Sequence, residues 1–559
     1  MSKTFFAVVL CAATFRLPQL WRLPFFFFVF LFVWADGAPD TLYFLVISCL
    51  AAFLFRNRLG HPGLTVLAGS FFAIASLIKF TYAILAILAL VLALASCCIQ
   101  RRPFRGLLLL LTFVVTLLLC WRAAGQEYRH LISYLRTSID VSLYYKGAMG
   151  VPAASNAIVI VGGIVALLAV LQCAVTFLGS DQRYSLFVVL FLVSEIILVW
   201  NRAFVRADDH VLSFFCLCPA VLLTIWLVVT PGSKNRRVAF GINLIIFVLC
   251  LSGIALQRPA GLWASVPQAI TRVGGAWQIL MHPIEYFEQL RTQRIRAEET
   301  YALPRVRAEV GNQTIDIFGH EQGIALLNDL NYRPRPAFQG YSAYSSALIA
   351  ANTTHYSSRK APEYVLFKYQ TIDGRYPSLD DAGVLRQILL SYKPLLKEQG
   401  YVLWKNIKPS EPLRIEPGIA TSLPFDSELA LPAPMDGMQW LQLEVKASPL
   451  GRALNFFYKP PQVTLHVKDN LGQQTSHRLI PSMSSEGFLI NPYLKSLREV
   501  LLTSSGEQTA SIASFSVHVA KRDTIFFKPR VTVRLSVLPK PPPSELDDEA
   551  RRLAAAGGR

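Results

Sequence analysis

Residues 82–121 read YAILAILALVLALASCCIQRRPFRGLLLLLTFVVTLLLCW. Two apolar runs, 82–99 and 105–121, flank the polar segment QRRPF at 100–104, with Arg105 next to it. A helix needs roughly 17–25 largely apolar residues to cross a bilayer, so the stretch reads as two spans joined by a short basic turn. The same reading extends outward to 41–55, 63–79, 157–179, 185–200, 211–230 and 239–256. Several of these runs are short, which suits tilted or partly buried spans. Two weaker runs precede them, at 4–15 (TFFAVVLCAATF) and about 20–35. The first of these reads three ways: a span that places Met1 outside, a signal-like apolar segment after Lys3, or the start of a chain that lacks upstream sequence.

The whole chain has 559 residues, of which 53% are hydrophobic and 16% charged. Ordinary soluble domains carry about 25% charged residues. With a mean hydropathy of +0.41, this composition excludes a disordered protein, a collagen-like rod and an ordinary soluble enzyme. The average hides a split. Residues 1–256 carry 19 basic and 8 acidic residues, whereas 257–559 carry 35 and 28. All nine cysteines lie in the first part, so the second has no disulfide, and no Cys or His spacing reads as a zinc site. The net charge of +18 falls mostly on the membrane part. There it sets topology, and it does not point to a nucleic-acid partner.

Loop charges give the orientation. The loops 56–62, 100–104 with Arg105, 180–184 and 231–238 hold nine basic residues and one acidic. The alternate set, 36–40, 80–81, 122–156 and 201–210, holds six of each. The positive-inside rule places the first set in the cytoplasm and the second set outside, together with everything after Leu256.

Charges at membrane depth or at the outer boundary are functional candidates. Lys79, in SLIKFTY, suits either an anchor for a lipid phosphate or a snorkelling lysine. Glu195, inside LVSEIILVW, has no evident sequence partner. The densest group is NRAFVRADDH at 201–210, with Arg202, Arg206, Asp208, Asp209 and His210. Guanidiniums suit a phosphate group, which accepts paired hydrogen bonds from them. A neighbouring carboxylate can orient them, take a proton from a hydroxyl or hold a divalent cation. The alternative is a loop whose charges only mark the membrane boundary. Asp36 and Asp40, in WADGAPD, read as a general base or as turn and cap residues. In 122–156, Leu131, Ile132, Leu135, Ile139 and Leu143 recur at helical spacing. They predict a helix lying in the membrane interface, either structural or covering a lipid-headgroup cavity.

An acidic first outer loop, the lysine in SLIKFTY, a loop ending in YYKGAMG and FVRADDH between two later spans resemble the C-type superfamily of multi-pass membrane glycosyltransferases. The similarity is closest to bacterial members with a C-terminal extracytoplasmic region. It covers about residues 20–410, including YRPRPAFQGYSAYSSAL and APEYVLFKYQTIDGRYP. It implies a bacterial inner-membrane enzyme that takes a sugar from a polyprenyl-phosphate or diphosphate donor at the outer leaflet. A carboxylate of the first outer loop then acts as base, by position Asp36 or Asp40. Lys79, Arg202, Arg206 and His210 then face the departing lipid phosphate. The sequence departs from the family pattern in its short first loop and irregular preceding spans. That departure leaves three alternatives: a base upstream of this chain, Asp208 and Asp209 as the working carboxylates, or a non-catalytic protein.

After the bundle (1–256), residues 257–311 predict a helical connector. Residues 312–410 alternate strand and helix signals: TIDIFG, a helix near 320–330, PAFQ, a helix near 343–352, EYVLFKY, a helix near 380–398 and YVLWKN. These predict a small α/β layer. Around Arg333 and Arg335, Tyr332, Phe338, Tyr341 and Tyr344 read as core aromatics or as a surface for sugar or acidic glycan. In 411–539, QWLQLEVKA, QVTLHVKD, SFSVHVA and RVTVRLSVL alternate apolar and polar residues, which predicts an antiparallel β-sandwich. Residues 540–559 predict a disordered tail.

The expected architecture is therefore an α-helical bundle of about 8–10 spans, followed by an extracytoplasmic α/β domain and a β-sandwich. The expected partners are membrane lipids, a polyprenyl-linked sugar donor and a glycan, lipid or protein acceptor. No cofactor is implied apart from the divalent cation that Asp208 and Asp209 could hold. The competing class is a non-catalytic, membrane-anchored protein that binds glycan or assists envelope assembly.

Overall fold

The computed structural model describes residues 39–55, 62–178, 185–228, 234–259, 266–407, 416–433, 437–507 and 509–556. The weak runs 4–15 and 20–35 lie outside them, as does Asp36. The chain forms two compact units, one within Met1–Ser138 and Gly150–Pro283, the other from Ile139–Met149 with Ile284–Arg559.

The first unit is helical. It comprises α1 (Pro39–Phe55), α2 (Pro62–Ile78), α3 (Phe80–Ile99), α4 (Pro103–Ala123), the first part of α5 (Leu131–Met149), α6 (Asn156–Leu178), α7 (Ser185–Val205), α8 (Val211–Val228), α9 (Lys234–Gln257) and α10 (Val266–Met281). Among the described residues, five helical segments are long and apolar enough to cross a membrane: Phe80–Ile99, Pro103–Ala123, Asn156–Val175, Leu186–Val205 and Val238–Gln257. Tyr43–Phe55 and Pro62–Ile78 are apolar but shorter. Pro103 opens α4 directly after QRR, where its missing N–H costs no helical hydrogen bond.

Two glycines set how the helices around 201–210 meet. A Cβ on Gly162 of α6 would lie 2.2 Å from Phe204 Cζ, and one on Gly253 of α9 would lie 2.4 Å from Phe215 Cζ. Phe204 of α7 stacks on Trp200 at 4.0 Å and meets Phe214 of α8 edge-on at 5.3 Å. Gly162→Ala will therefore lower the thermal midpoint of the purified protein, as overpacking typically costs about 1–3 kcal/mol. An added Cβ on the adjacent Gly163 meets nothing within 4 Å. Gly163→Ala will be neutral or slightly stabilising, because alanine favours helix.

In the second unit, α11 (Pro283–Thr300) and α12 (Pro304–Val310) lead into a four-stranded sheet. Its strands are β1 (Ile315–Phe318), β2 (Tyr364–Phe367), β3 (Tyr392–Glu398) and β4 (Tyr401–Asn406), in the order β1-β2-β4-β3. β1 and β2 are parallel and the other pairs antiparallel. Helices α13 (Ser346–Tyr356) and α14 (Ala382–Ser391) connect them. Two expectations are corrected. PAFQ is not a strand, and the helix expected over 380–398 stops at Ser391, beyond which YKPLLKE is β3. Gln399 and Gly400 both have positive φ (46° and 80°) and make a two-residue hairpin turn between Glu398 and Tyr401. Pro394 is tolerated because β3 lies at the sheet edge and is irregular there.

Two antiparallel four-stranded sheets follow, ordered β10-β7-β12-β5 and β6-β11-β8-β9. Their strands are β5 (Glu416–Pro424), β6 (Leu429–Ala430), β7 (Met438–Glu444), β8 (Val463–Asp469), β9 (Gln474–Leu479), β10 (Phe488–Asn491), β11 (Ile512–His518) and β12 (Arg530–Leu538). Each of the four alternating segments singled out in 411–539 forms a strand. In β8, Val463, Leu465 and Val467 are buried while Thr464, His466 and Lys468 are not. Helix α15 (Pro449–Phe457) lies between β7 and β8, and α16 (Leu497–Ser504) between β10 and β11. Val365, Phe367 and Trp404 join one hydrophobic cluster with Trp440, Leu465 and Val533.

The expected disordered tail is also corrected. α17 (Asp547–Ala556) buries Ala550, Leu553 and Ala554, and Asp547 pairs with the buried Lys393 at 2.6 Å. Three small or apolar residues at i, i+3 and i+4 suffice to dock it.

The end of α5 belongs to this unit. Val141, Tyr145, Ala148 and Met149 pack against the large core. Arg375 Nη2 donates to Ala148 O (2.9 Å) and Arg478 Nη2 to Gly147 O (3.0 Å). A helix end leaves carbonyls unpaired and partly negative, and two guanidiniums satisfy both needs. The segment YYKGAMG is thus a docking element of the C-terminal unit. The apolar pattern in the sequence marks the opposite face of the same helix.

Of the two readings around Arg335, burial favours the core: Arg335 is fully buried. Its Nε donates to Asp381 Oδ2 (2.7 Å), and its Nη1 to Asp316 Oδ2 (2.8 Å) and Ile317 O (2.6 Å). Tyr356 OH also donates to Asp316, and Asn352 Nδ2 to Asp381. Tyr344 is buried, whereas Arg333 and Phe338 are exposed.

Candidate functional site

The loop after α7 is held from both sides. Val151 N donates to Val205 O and Ala207 N to Val151 O, which ties it to the segment before α6. On the other side it opens α8. Asp208 O, Asp209 O and His210 O accept from the backbone N–H groups of Val211, Leu212 and Ser213.

Asp208 is the hub. Its Oδ2 accepts from Arg206 Nε (2.9 Å), and its Oδ1 accepts from the backbone N–H of His210 (3.2 Å) and contacts His210 Nδ1. Burial alone would raise its pKa. The hydrogen bonds from His210 and the charge of Arg206 outweigh that and hold the carboxyl below its ordinary value. A carboxylate so stabilised is a weak base, and its geometry is that of a group that orients an imidazole.

Asp209 faces a different element. Gln257 Nε2 donates to its Oδ1 (3.2 Å) and Arg258 Nη2 to its Oδ2 (3.0 Å), both from the end of α9. These bonds lower its pKa. The two carboxylates thus engage separate partners and do not converge on one point. Among the described residues, no group of three or more His, Cys, Asp or Glu side chains is placed to hold a metal ion.

Contacts link the other cations to this end of the bundle. Arg202 lies over the Phe44 ring of α1 at 5.9 Å. Phe44 meets Tyr82 edge-on at 5.8 Å, and Tyr43 stacks on Tyr82 at 4.8 Å. Lys79 lies over the same Tyr82 ring at 6.0 Å. Lys79 is the single extended residue (φ −155°) between α2 and α3, so its position is set by a helix break. Asp40 is in the first turn of α1, one turn before Phe44, and its side chain lies outside the described residues.

Lys79, Arg202, Arg206 and His210 therefore come to one end of the bundle, joined by Arg258. The sequence reading missed Arg258 because it follows a span of its own and lies 49 residues from its partner. A cavity lined by Cys97, Gln100, Arg102 and Arg105 lies at the other end of the bundle. Glu195, without a sequence partner, finds Ser48 of α1. The Ser48 hydroxyl lies 2.6 Å from both carboxylate oxygens in the buried interior.

No known family model, curated protein or solved structure matches the chain.

Proposed function

We propose that this chain is an integral-membrane glycosyltransferase. It moves a sugar from a polyprenyl-phosphate-type donor to an envelope glycan, lipid or protein acceptor. The observation that carries the reading is the convergence of Lys79, Arg202, Arg206 and the Asp208–His210 pair at one end of an apolar bundle. An anionic headgroup on a long isoprenoid tail matches that combination of cationic end and apolar walls. The loop-charge bias supports an extracytoplasmic side for this end and for the C-terminal unit, whose two sheets we read as a sandwich.

In this reading His210, oriented by Asp208, takes the proton of the acceptor hydroxyl. The hydroxyl oxygen attacks the anomeric carbon, and the bond from that carbon to the phosphate oxygen breaks. The electron pair leaves with the lipid phosphate, whose added charge Arg202, Arg206 and Lys79 stabilise. Asp209 locks the loop to α9 and takes no part in the proton transfer. Asp40 is the alternative base.

Native mass spectrometry of the full chain released from nanodiscs tests the donor side. Polyprenyl phosphate will be retained, and neutral polyprenol of the same length will not. The Arg202→Ala/Arg206→Ala variant will lose the phosphate adduct. Equal retention of both lipids, or an adduct insensitive to both arginines, would contradict the assignment.

A further inference from the structure

α5 has two faces of different fate. Val141, Tyr145, Ala148 and Met149 join the core of the C-terminal unit. On the other side Ile132, Leu135, Ile139 and Leu143 form a stripe at helical spacing, all exposed, Leu143 at 67%. Lys146, one turn after Leu143 on that side, donates through Nζ to Asn455 O (3.0 Å) and Phe456 O (2.6 Å). This bond joins the last turn of α5 to the last turn of α15.

The tip so formed is apolar and aromatic. Phe456 is 72% exposed and Phe457 59%, with Leu450 on the same short helix and Ile525 in the adjacent turn Lys521–Phe526. Ser448 Oγ donates to Ile525 O (2.7 Å), and Gly451 lies against Phe526 O, so turn and helix form one piece. Arg452, Lys521 and Arg522 lie in these two segments and Lys459 and Lys528 within two residues of their ends, against one carboxylate, Asp523. Exposed aromatic and aliphatic side chains in segments rich in cations are the composition of a surface that enters the headgroup region of a bilayer.

Chain connectivity puts a bilayer within reach. α5 follows the span Pro103–Ala123 and precedes the span Asn156–Val175. Seven residues from Met149 to Asn156 can extend at most about 25 Å.

We infer that Ile139 and Leu143 of α5, which belong to the C-terminal unit, and the α15 tip form a second membrane contact, by which that unit lies on anionic lipid through Leu143, Phe456, Phe457 and the cations of the same segments. The contact is independent of the proposed chemistry. Its cations draw the tip to negative headgroups, and its aromatic side chains insert among them.

The test uses the full chain in phosphatidylcholine vesicles with and without phosphatidylglycerol. A photoreactive p-benzoylphenylalanine replaces either Phe457 or, as control, Leu471. Leu471 is 85% exposed and lies in the β8–β9 turn, at the far end of β8 from α15. Both sites are exposed, so neither change threatens folding. Lipid adducts at position 457 are expected to exceed those at 471 several-fold and to rise with phosphatidylglycerol. Lys521→Glu with Arg522→Glu is expected to remove the rise. Equal adducts at the two positions, a chain-to-chain adduct at 457 marking a second copy as the occupant, or no response to phosphatidylglycerol overturns the inference.

Discussion

Arg335→Leu is expected to unfold the C-terminal unit or leave it marginal, with a loss of about 3–5 kcal/mol. The guanidinium is fully buried and serves two carboxylates that are themselves fully buried, Asp316 and Asp381. Removing it leaves two like charges facing each other in a dry core, beside a carbonyl of β1 that has lost its donor. Gly340 closes over the group, so no replacement side chain can enter from that side. A Cβ there would lie 3.1 Å from Asp381 Cβ and 3.2 Å from Arg335 Nη2. Chemical denaturation of the full chain in detergent, followed by near-UV circular dichroism, measures the loss. Changing all three residues together (Asp316→Leu, Arg335→Met, Asp381→Asn, an asparagine being compatible with the left-handed φ of 49° at that position) should cost much less, because no unpaired charge remains. If the single and triple variants are equally stable, the group is not an electrostatic unit.

The same triad gives a pH dependence with a definite sign. Burial pushes the Asp381 carboxyl up to about 6, against the pull of Arg335. In the unfolded chain an aspartate titrates near 3.9. The folded state therefore holds the proton more tightly, and stability falls as pH rises from about 4 to about 6, then levels. Asp381→Asn should flatten that slope.

The second large effect concerns the loop after α7. His210→Ala is expected to lower transfer by about 10²–10⁴-fold with expression and membrane insertion unchanged, the usual range for a positioned proton acceptor. Asp208→Asn should also lower the rate, by releasing the imidazole from its orientation. Asp209→Asn should have a smaller effect, since its bonds go to Gln257 and Arg258. Asp208 stays ionised to below the ordinary carboxylate range. An acid limb in the rate profile above about pH 4 would therefore belong to another group. An unaltered rate for His210→Ala together with a dead Asp40→Asn variant would return the base to α1.

Long one-signal elements were legible in the sequence. Among the described residues the apolar runs became helices, and alternation in 462–469 and 530–538 became strands, because burial on one face or all faces writes a period into the chain. Elements decided by a partner were not legible. YKPLLKE has no alternation, and it is a strand because a turn at Gln399–Gly400 folds it onto β4. The helix Asp547–Ala556 looks polar, and Lys393 and a three-residue apolar strip hold it. The role of Arg335 stays open in sequence, since Asp316 and Asp381, which close on it, lie 19 and 46 residues away. In the candidate site, NRAFVRADDH drew attention by density alone. The division of labour between Asp208 and Asp209 depends on Arg258, which no local pattern connects to them.

The most direct measurement is transfer itself. Purified full-length chain in vesicles is supplied with a radiolabelled polyprenyl-phosphate sugar and an envelope extract as acceptor, and label leaving the lipid is followed with time. The account predicts transfer by the wild type, loss in His210→Ala and in Arg202→Ala/Arg206→Ala, and near-normal transfer in Asp209→Asn. No transfer from any polyprenyl-linked donor by correctly inserted wild-type protein, with envelope glycan binding retained by the C-terminal unit, would contradict it.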